Sequence, residues 1–243
     1  MPGYKTLPYG DMEALEAAIT NETCAVLIEP VQGEGGARAL PESQLTKLRE
    51  LCTRTGTLLI YDEIQCGLGR TGKLFAYEWA SDAAPDIMAI AKALGGGFPV
   101  GACLATAEAA RGMTPGSHGS TYGGNPLAMA VGKAALEELV KPELLAHVRE
   151  VSGYFTQQLT GLQQRYPDVV DDIRGKGLLI GVKLKTPNRE FMQHARDEKL
   201  LLAGGGDNCV RLLPSLLITR EEAREAVEKL ERACEAARAK AAA

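Results

Sequence analysis

The sequence is poor in aromatic residues and in histidine: 5% of its 243 residues are aromatic, with one tryptophan and three histidines. His118, His147 and His194 show no metal-ligand spacing, so they predict neither a metal site nor a catalytic role. The net charge is -4 and no basic run occurs, which argues against binding to nucleic acid or to an anionic membrane. Small molecules and other protein chains remain as partners.

Paired cysteines are also lacking, because the six cysteines include no CxxC pair and several lie in apolar segments. This indicates reduced thiols. The first residues have neither the basic start nor the apolar run of a secretory signal, so we expect a cytoplasmic protein. One stretch, residues 87–107, has the length of a membrane span. Lys92, three glycines and Pro99 interrupt it, and we exclude a span.

Short β-like runs alternate with helical patterns through the first half of the chain. Residues 24–29 and 57–61 read as strands on either side of a helix over 42–54 that ends at Gly56. This alternation is typical of a parallel sheet in an α/β fold. Residues 87–90 and 100–105 are predicted to be two further buried strands.

The pattern changes in the second half. Asn125 and Pro126 form the start of a helix that leaves the first domain. A long amphipathic helix after Pro142 is followed by strands near 169–174, 178–184, 200–203 and 209–213, with helices near 189–199 and at the end, where Thr219 and Glu222 form a capping box. We therefore predict a first, larger domain over residues 1–140 and a smaller α+β domain over 141–243.

Lys92 is the only charged residue in the stretch 87–107. An ammonium group in apolar surroundings loses hydration, which favours the neutral, nucleophilic amine. Such lysines form Schiff bases with carbonyl substrates or with pyridoxal phosphate. The alternative is a lysine that extends its charged end to water from a buried stem.

Asp62 ends one predicted strand, and Lys92 follows the next strand 30 residues later. The spacing suits a crossover between parallel strands, which would bring both side chains to the edge where open α/β sheets bind ligands. For pyridoxal phosphate, a carboxylate opposite the ring nitrogen keeps the pyridinium protonated. The alternative is a carboxylate that caps a turn beside an unrelated lysine.

Two phosphate-loop patterns overlap in GLGRTGK, residues 67–73. A nucleotide P-loop requires Ser or Thr after its lysine, whereas Leu74 follows here. A dinucleotide fingerprint requires its glycines where a strand opens into a helix, which this segment does not provide. We interpret the glycines as a close-packed loop.

Four segments in order resemble the class-III pyridoxal-phosphate aminotransferases: LIEPVQGEGG (27–36), YDEIQCGLGRTG (61–72), PDIMAIAKALGGGFPVGA (85–102) and HGSTYGGNPLA (118–128). The resemblance covers nearly the whole chain. It implies the C-terminal half of the large domain of a fold-type I pyridoxal-phosphate transferase, plus the smaller α+β domain. It also implies a homodimer.

The resemblance assigns cofactor contacts to particular residues. Lys92 matches the Schiff-base lysine, which also transfers the proton during the reaction. Asp62 matches the partner of the pyridinium nitrogen, and Gln65 matches the neighbour of the phenolic oxygen. Glu63 and Ile64 belong to the same cofactor-contacting segment.

Four further residues match phosphate and substrate contacts. Thr121 matches the hydroxyl that binds the cofactor phosphate across the dimer interface, and Ser120 matches a substrate contact. Arg211 matches the arginine that binds the α-carboxylate of 2-oxoglutarate or glutamate, a role suited to a planar fork. Glu34 matches a glutamate that pairs with this arginine when the amine substrate offers no carboxylate there. For each, the alternative is a polar turn or an ordinary ion pair.

Within this family, the segments 174–181 and 206–219 look most like members that act on N2-acetylornithine, so the resemblance implies transamination of N2-acetylornithine with 2-oxoglutarate in arginine biosynthesis. Other amine donors of the family (ornithine, 4-aminobutyrate, succinyldiaminopimelate), an aminomutase reaction, and a non-catalytic remnant are the alternatives. The match begins in the middle of the family's large domain. The phosphate loop, the ring-stacking aromatic residue and the arginine for the distal carboxylate are therefore expected outside this sequence, and we expect impaired catalysis by the chain alone.

Overall fold

The computed structural model describes residues 3–241. In the first half, α1 (Met12–Ala18) precedes the strands β1 (Ala25–Ile28), β2 (Val31–Gln32) and β3 (Arg38–Ala39), the helix α2 (Glu42–Thr55), and the strands β4 (Leu58–Asp62), β5 (Ile87–Ile90) and β6 (Ala102–Ala105). In the second half, α3 (Pro126–Leu139) and α4 (Pro142–Arg165) are followed by β7 (Val170–Lys176), β8 (Leu179–Leu184), α5 (Asn188–Asp197), β9 (Ala203–Gly205), β10 (Cys209–Leu212) and α6 (Arg220–Ala241).

The first sheet has the strand order β1-β4-β5-β6. β4 pairs in parallel with both β1 and β5, as the alternating pattern predicts, and Asp62 lies opposite Ala89. In-register parallel strands present their carboxyl ends at a common edge. The residues that follow β1, β4 and β5 therefore meet at that edge.

The helix α2 covers one face of this sheet. Leu45, Leu48 and Cys52 are buried on the helix and pack against Leu59 and Tyr61. Gly56 ends the helix with φ = 69°, a left-handed conformation that glycine adopts without a steric penalty. The predicted helix and its stop are confirmed.

The strand predicted over 100–105 is only partly right. β6 covers Ala102–Ala105 and runs antiparallel to β5, at the edge of the sheet. Its four residues are exposed, so the prediction of a buried strand is wrong here. The physical reason is that apolar composition indicates suitability for burial, whereas an edge strand is buried only if another element lies against it.

The sheet face opposite α2 is open. The residues Leu58, Ile60 and Ile87 on this face are only half-buried, and Leu27 is 62% exposed. Exposed apolar surface of this kind favours association of copies of the chain.

A Leu27→Lys variant should therefore show less concentration-dependent association in light scattering than the unchanged chain. A matched Ala236→Glu variant on the exposed face of α6 should not, and equal association of all three chains would contradict the prediction.

The second half forms an antiparallel sheet with the order β7-β8-β10-β9. The long helix α4 and the helices α5 and α6 cover it, and the apolar stripe of α4, including Val148, Phe155 and Leu159, is buried in the largest hydrophobic cluster. Interior positions of β8 and β10 complete this cluster. The α+β composition predicted for this part is confirmed, while the domain boundary at residue 140 stays a prediction.

Helix termini follow the predicted chemistry. Asn125 accepts a hydrogen bond from the backbone N–H of Ala128 at 2.9 Å. Thr219 and Glu222 form the reciprocal capping box, with distances of 2.8 and 3.1 Å. One strand differs from its prediction: β9 begins at Ala203 rather than at residue 200.

Within residues 3–241, no helix is both long and apolar enough to cross a membrane.

Candidate active site

Three charged side chains follow adjacent strands of the first sheet. Glu29 comes directly after β1, Asp62 ends β4, and Lys92 lies two residues beyond β5. The side chain of Asp62 accepts a hydrogen bond from the N–H of Ile64 at 2.9 Å, which turns the chain away from the sheet. The structure thus places the two residues predicted to hold a cofactor on neighbouring strands at the same edge.

Lys92 opens a short 3-10 helix, Lys92–Gly95, that packs against α3. Its φ of 47° places a non-glycine residue in the left-handed region. This conformation costs energy and is common at functional positions. Lys92 is exposed and, together with residues 97–101, lines an open cleft. Within residues 3–241 its amine forms no ion pair closer than 4.0 Å.

The expected apolar burial of Lys92 is therefore wrong for this chain. The apolar neighbours Ile90 and Leu94 are buried in a cluster with Leu139, but the lysine itself points out of that cluster. The apolar residues around Lys92 in the sequence lie on both faces of β5 and in the turn after it. They do not show that Lys92 itself, which lies in the turn, faces the open edge of the sheet. The amine is accessible to a ligand in the cleft.

Glu29 is a site residue that the sequence interpretation missed. Burial raises the pKa of its carboxyl group, the negative charges of Asp62 and Glu34 add to the rise, and the N–H of Gly33 and the charge of Lys92 oppose it. The bond from Gly33 to the carboxylate measures 2.9 Å. The charges of Asp62, Glu34 and Lys92 thus all act on the Glu29 carboxyl group at this edge. The signal in the sequence was a carboxylate at the end of a predicted strand, in the segment that also contains Glu34.

Arg211 lies on β10 of the second sheet and is 7% exposed. Its Nε and Nη2 donate to the carbonyl oxygen of Gly204 at 3.0 and 2.7 Å, which fixes the plane of the guanidinium group. Its Nη1 donates to Glu34 Oε1 at 2.6 Å and to Gln65 Oε1 at 3.0 Å. One nitrogen therefore faces the residues of the first sheet.

Glu34 is the exposed partner of this pair. Its side chain is 78% exposed, against 7% for that of Arg211. The hydrogen bond from Arg211 lowers the pKa of Glu34, so the carboxylate stays charged as the pH falls below the usual range for glutamate. A carboxylate held at one end by an anchored arginine and open to water at the other can be exchanged for a ligand carboxylate.

Gln65 connects Glu34 and Arg211 to the segment that follows Asp62. Its Nε2 lies 3.5 Å from Glu34 Oε1, and a Cβ atom at position 33 would lie 1.8 Å from Gln65 Oε1. Gly33 is therefore required for the close approach of this amide. The structure brings together Asp62, Gln65, Glu34 and Arg211 along one path from the first sheet to the second.

The two remaining residues of the predicted cofactor segment have structural contacts. The buried carboxylate of Glu63 accepts hydrogen bonds from the N–H groups of Ala76 and Tyr77, both at 2.9 Å, and burial raises its pKa. Ile64 is half-buried and donates its backbone N–H to Asp62. Glu63 thus braces the turn that carries Gln65, and its cofactor contact stays a prediction.

Ser120 and Thr121 lie on an exposed loop before α3. Ser120 Oγ accepts a hydrogen bond from the N–H of Gly123 at 3.0 Å. In the described part of the chain, no hydrogen bond links either hydroxyl to Lys92 or Arg211. Their predicted phosphate and substrate contacts are therefore not assembled by these residues alone.

The donor set fits pyridoxal phosphate on one side of the group. Lys92 offers an accessible primary amine in a cleft, and Asp62 offers a carboxylate from the neighbouring strand for a ring nitrogen. Gln65 offers an amide beside them. Within residues 3–241, no group of three or more histidine, cysteine or acidic residues could hold a metal ion. All six cysteines are free, with Cys24 and Cys103 exposed.

A lysine and a carboxylate at adjacent strand ends of an α/β sheet, with a smaller α+β unit that supplies an arginine, define the class of fold-type I pyridoxal-phosphate proteins. The family model for class-III aminotransferases matches residues 5–234. The chain belongs to the class-III aminotransferases, a family whose cofactor is pyridoxal phosphate.

Relatives with assigned names agree with this family. Acetylornithine aminotransferase 2 of Caulobacter vibrioides is 68% identical over 244 residues, which cover 100% of this chain and 60% of the relative. Acetylornithine aminotransferase of Brucella melitensis is 56% identical over 233 residues, covering 96% of this chain and 58% of the relative. The chain thus spans less than two thirds of the length of these relatives.

Solved structures share the fold. N-acetylornithine aminotransferase of Stenotrophomonas maltophilia superposes with a TM-score of 0.86 at 38% identity, covering 96% of this chain and 62% of that one. Ornithine aminotransferase of Toxoplasma gondii superposes with a TM-score of 0.92 at 33% identity, covering 99% and 58%. In that crystal, pyridoxal phosphate partially occupies the active site. The predicted fold class and cofactor are confirmed.

Proposed function

We propose that this chain carries the lysine-bearing part of an aminotransferase that moves the terminal amino group of N2-acetylornithine to 2-oxoglutarate. The products are N-acetylglutamate semialdehyde and glutamate, a step of arginine biosynthesis. The observation that supports the proposal most directly is the anchored Arg211 with its exchangeable partner Glu34, beside the accessible Lys92. The names of the relatives support the choice of amine donor.

Each residue has a defined task in this proposal. When bound, pyridoxal phosphate supplies an electron sink for the bonds at the substrate carbon. Lys92 provides the amine that attaches the group, and it transfers a proton to and from the substrate carbon when it is released. Asp62 would hold the proton on the ring nitrogen, and the side-chain amide of Gln65 would lie beside the phenolic oxygen and donate a hydrogen bond to it.

Arg211 and Glu34 together let one pocket accept two kinds of substrate. Arg211 binds the α-carboxylate of 2-oxoglutarate or glutamate through the nitrogen that now faces Glu34. Glu34 returns to this nitrogen when the bound amine carries no carboxylate at that position. One pocket can then accept both an ω-amine and an α-amino acid, because the charge of Arg211 is paired in either case.

Thr121 is proposed to bind the cofactor phosphate of a second subunit in a homodimer, and Ser120 to contact the substrate. The exposure of their loop supports this assignment, since both side chains are accessible to another chain. Glu63 and Ile64 are proposed to shape the cofactor side of the site through the turn that they support.

Amine-donor profiling tests the proposed substrate. The chain would be loaded with pyridoxal phosphate and given 2-oxoglutarate with each donor in turn, and glutamate formation would be measured. N2-acetylornithine should give the highest kcat/KM. Ornithine is the second candidate, since ornithine aminotransferase structures superpose with a TM-score up to 0.92. A higher kcat/KM with ornithine, 4-aminobutyrate or succinyldiaminopimelate would show that this amine, and not N2-acetylornithine, is the donor. No glutamate with any donor would favour a non-catalytic remnant.

A Glu34→Gln variant should lower the KM for 2-oxoglutarate by about two- to fivefold, the range expected when the exposed carboxylate of Glu34 no longer competes for Arg211. The KM for the amine donor should not improve. A Glu42→Gln variant removes a similarly exposed carboxylate, which pairs with Lys176 at 3.0 Å, and serves as the control. A raised KM for 2-oxoglutarate in Glu34→Gln would show that Glu34 helps to bind this substrate rather than competing with it.

A further inference from the structure

The loop Gly67–Gly72, in which the two phosphate-loop patterns overlap, contacts the second sheet. Arg70 lies at its centre, and Nη1 of this residue donates to the carbonyl oxygen of Pro214 at 2.6 Å and to that of Leu178 at 3.3 Å. The backbone returns the contact, because the N–H of Leu178 donates to the carbonyl of Arg70 at 2.9 Å. Arg70 therefore binds the ends of two segments of the second unit.

Those two segments are the ones that flank Arg211. Leu178 directly precedes β8, and Pro214 follows β10 by two residues. β8 and β10 are paired antiparallel, with Arg211 opposite Gly181. A single guanidinium group thus contacts both strands at the same end.

The contact is tight and leaves no room for adjustment. Gly177 has φ = 60°, and a Cβ atom there would lie 2.5 Å from the Cα of Thr71. On the other side of the loop, a Cβ atom at Gly69 would lie 3.3 Å from a methyl group of Leu216. Close approach of two backbones is the reason for glycine at position 177.

Arg70 has an unusual electrostatic environment for a contact between two structural units. Within residues 3–241, no carboxylate lies within 4.0 Å of its guanidinium group. Burial lowers its pKa to about 10. Backbone carbonyl oxygens therefore compensate the charge of Arg70. Because backbone atoms move less than long side chains, these bonds fix the distance between the loop and the two strands better than an ion pair between two long side chains would.

We propose that Arg70 is a positioning residue for the carboxylate-binding arginine: it sets the distance between β10, which carries Arg211, and the segment that carries Gln65. Gln65 lies five residues before Arg70, and its contact with Arg211 at 3.0 Å is the second tie between the same two segments. Loss of the Arg70 contacts should therefore weaken the contact between Gln65 and Arg211. The inference deepens the proposed function, because it concerns the site assigned there to 2-oxoglutarate.

A matched control exists in the same loop. Arg149 on α4 donates to the carbonyl oxygen of Gly72 at 2.6 Å. This bond is as short as that from Arg70 to Pro214, and it also joins the loop to the second unit. It attaches a helix, however, and not the strand that carries Arg211.

Hydrogen–deuterium exchange of the chain without ligand tests the positioning directly. Arg70→Met should speed exchange of the amides of Cys209–Leu212 on the order of tenfold, the loss expected for one charged hydrogen bond. Arg149→Met should leave this strand within about twofold of the unchanged chain. Arg70→Lys, which retains the charge and one donor, should restore most of the protection. Equal effects of Arg70→Met and Arg149→Met on this strand, or no effect of either, would overturn the proposal.

Titration calorimetry of the cofactor-loaded chain with 2-oxoglutarate gives the second readout. Arg70→Met should weaken binding on the order of tenfold while the visible absorbance of the bound cofactor is unchanged, and Arg149→Met should bind within about twofold of the unchanged chain. Unaltered binding in Arg70→Met would overturn the proposal. If the unchanged chain fails to bind 2-oxoglutarate, the proposed function fails, and the exchange experiment still decides the role of Arg70.

Discussion

Replacement of Lys92 by alanine is expected to abolish covalent retention of pyridoxal phosphate and to lower transamination by on the order of 100- to 10,000-fold, the contribution of a positioned acid–base group. The reason is that the accessible amine of Lys92 performs two tasks, attachment of the group and transfer of the proton. Within residues 3–241, no other amine lines the open cleft at the end of β5. Asp62 and Gln65 would remain in place but would have no nucleophile beside them.

Borohydride reduction followed by peptide mass spectrometry measures this outcome without any need for turnover. In the unchanged chain, the added mass should be found on the peptide that contains Lys92. Lys133→Ala is the matched control, because Lys133 is an exposed lysine on α3 whose side chain is 79% exposed. Modification of a different lysine, or a Lys92→Ala variant that keeps its visible absorbance, would contradict the assignment. Absence of any absorbance in the unchanged chain would favour the non-catalytic remnant.

The edge that carries the site was predictable because its strands are encoded locally. β1, β4 and β5 are short apolar runs that end at polar residues, and α2 shows a one-sided apolar pattern that stops at Gly56. Parallel pairing then follows from the intervening helix. Asp62 and Lys92 could be placed together by this reasoning alone.

The exposure of Lys92 and of β6 was not predictable in the same way. Burial depends on which surfaces a second element covers, and the apolar residues of an edge strand look the same whether or not that element is present. Lys92 also has a positive φ, and its side chain is exposed while its neighbours Ile90 and Leu94 are buried. Propensity scales carry no signal for such a conformation in lysine.

The contacts between the two units depend on distant residues. Arg211 meets Glu34 across 177 positions and Gln65 across 146, while Arg70 meets Pro214 across 144. Neither periodicity nor turn chemistry pairs residues at such separations. The resemblance to a family supplied the first pair. The loop of Arg70 was correctly predicted to be close-packed, but its partner strands could be found only in the structure.

An Arg211→Leu variant is expected to bind 2-oxoglutarate on the order of 100-fold more weakly, because a ligand carboxylate would lose its charge-assisted hydrogen bond with Nη1 of Arg211. The effect should be concentrated in one half of the reaction. Since Glu34 occupies Arg211 when the amine donor is bound, the donor makes no direct contact with this arginine. The rate of the half-reaction with the amine donor should therefore fall by no more than about tenfold.

Single-turnover measurements separate the two halves, with the amine donor added to the loaded chain in one experiment and glutamate in the other. Arg174→Leu is the control, since Arg174 is a second partly buried arginine of the same sheet, with its Nη1 2.8 Å from Asp207. It should affect both half-reactions alike. Arg211→Lys should recover little of the lost affinity, because a point charge cannot reproduce the fork that Gly204 holds in plane. An equal loss of both half-reactions in Arg211→Leu would mean that Arg211 only stabilises the sheet, and the exchange of Glu34 for a substrate carboxylate would then be wrong.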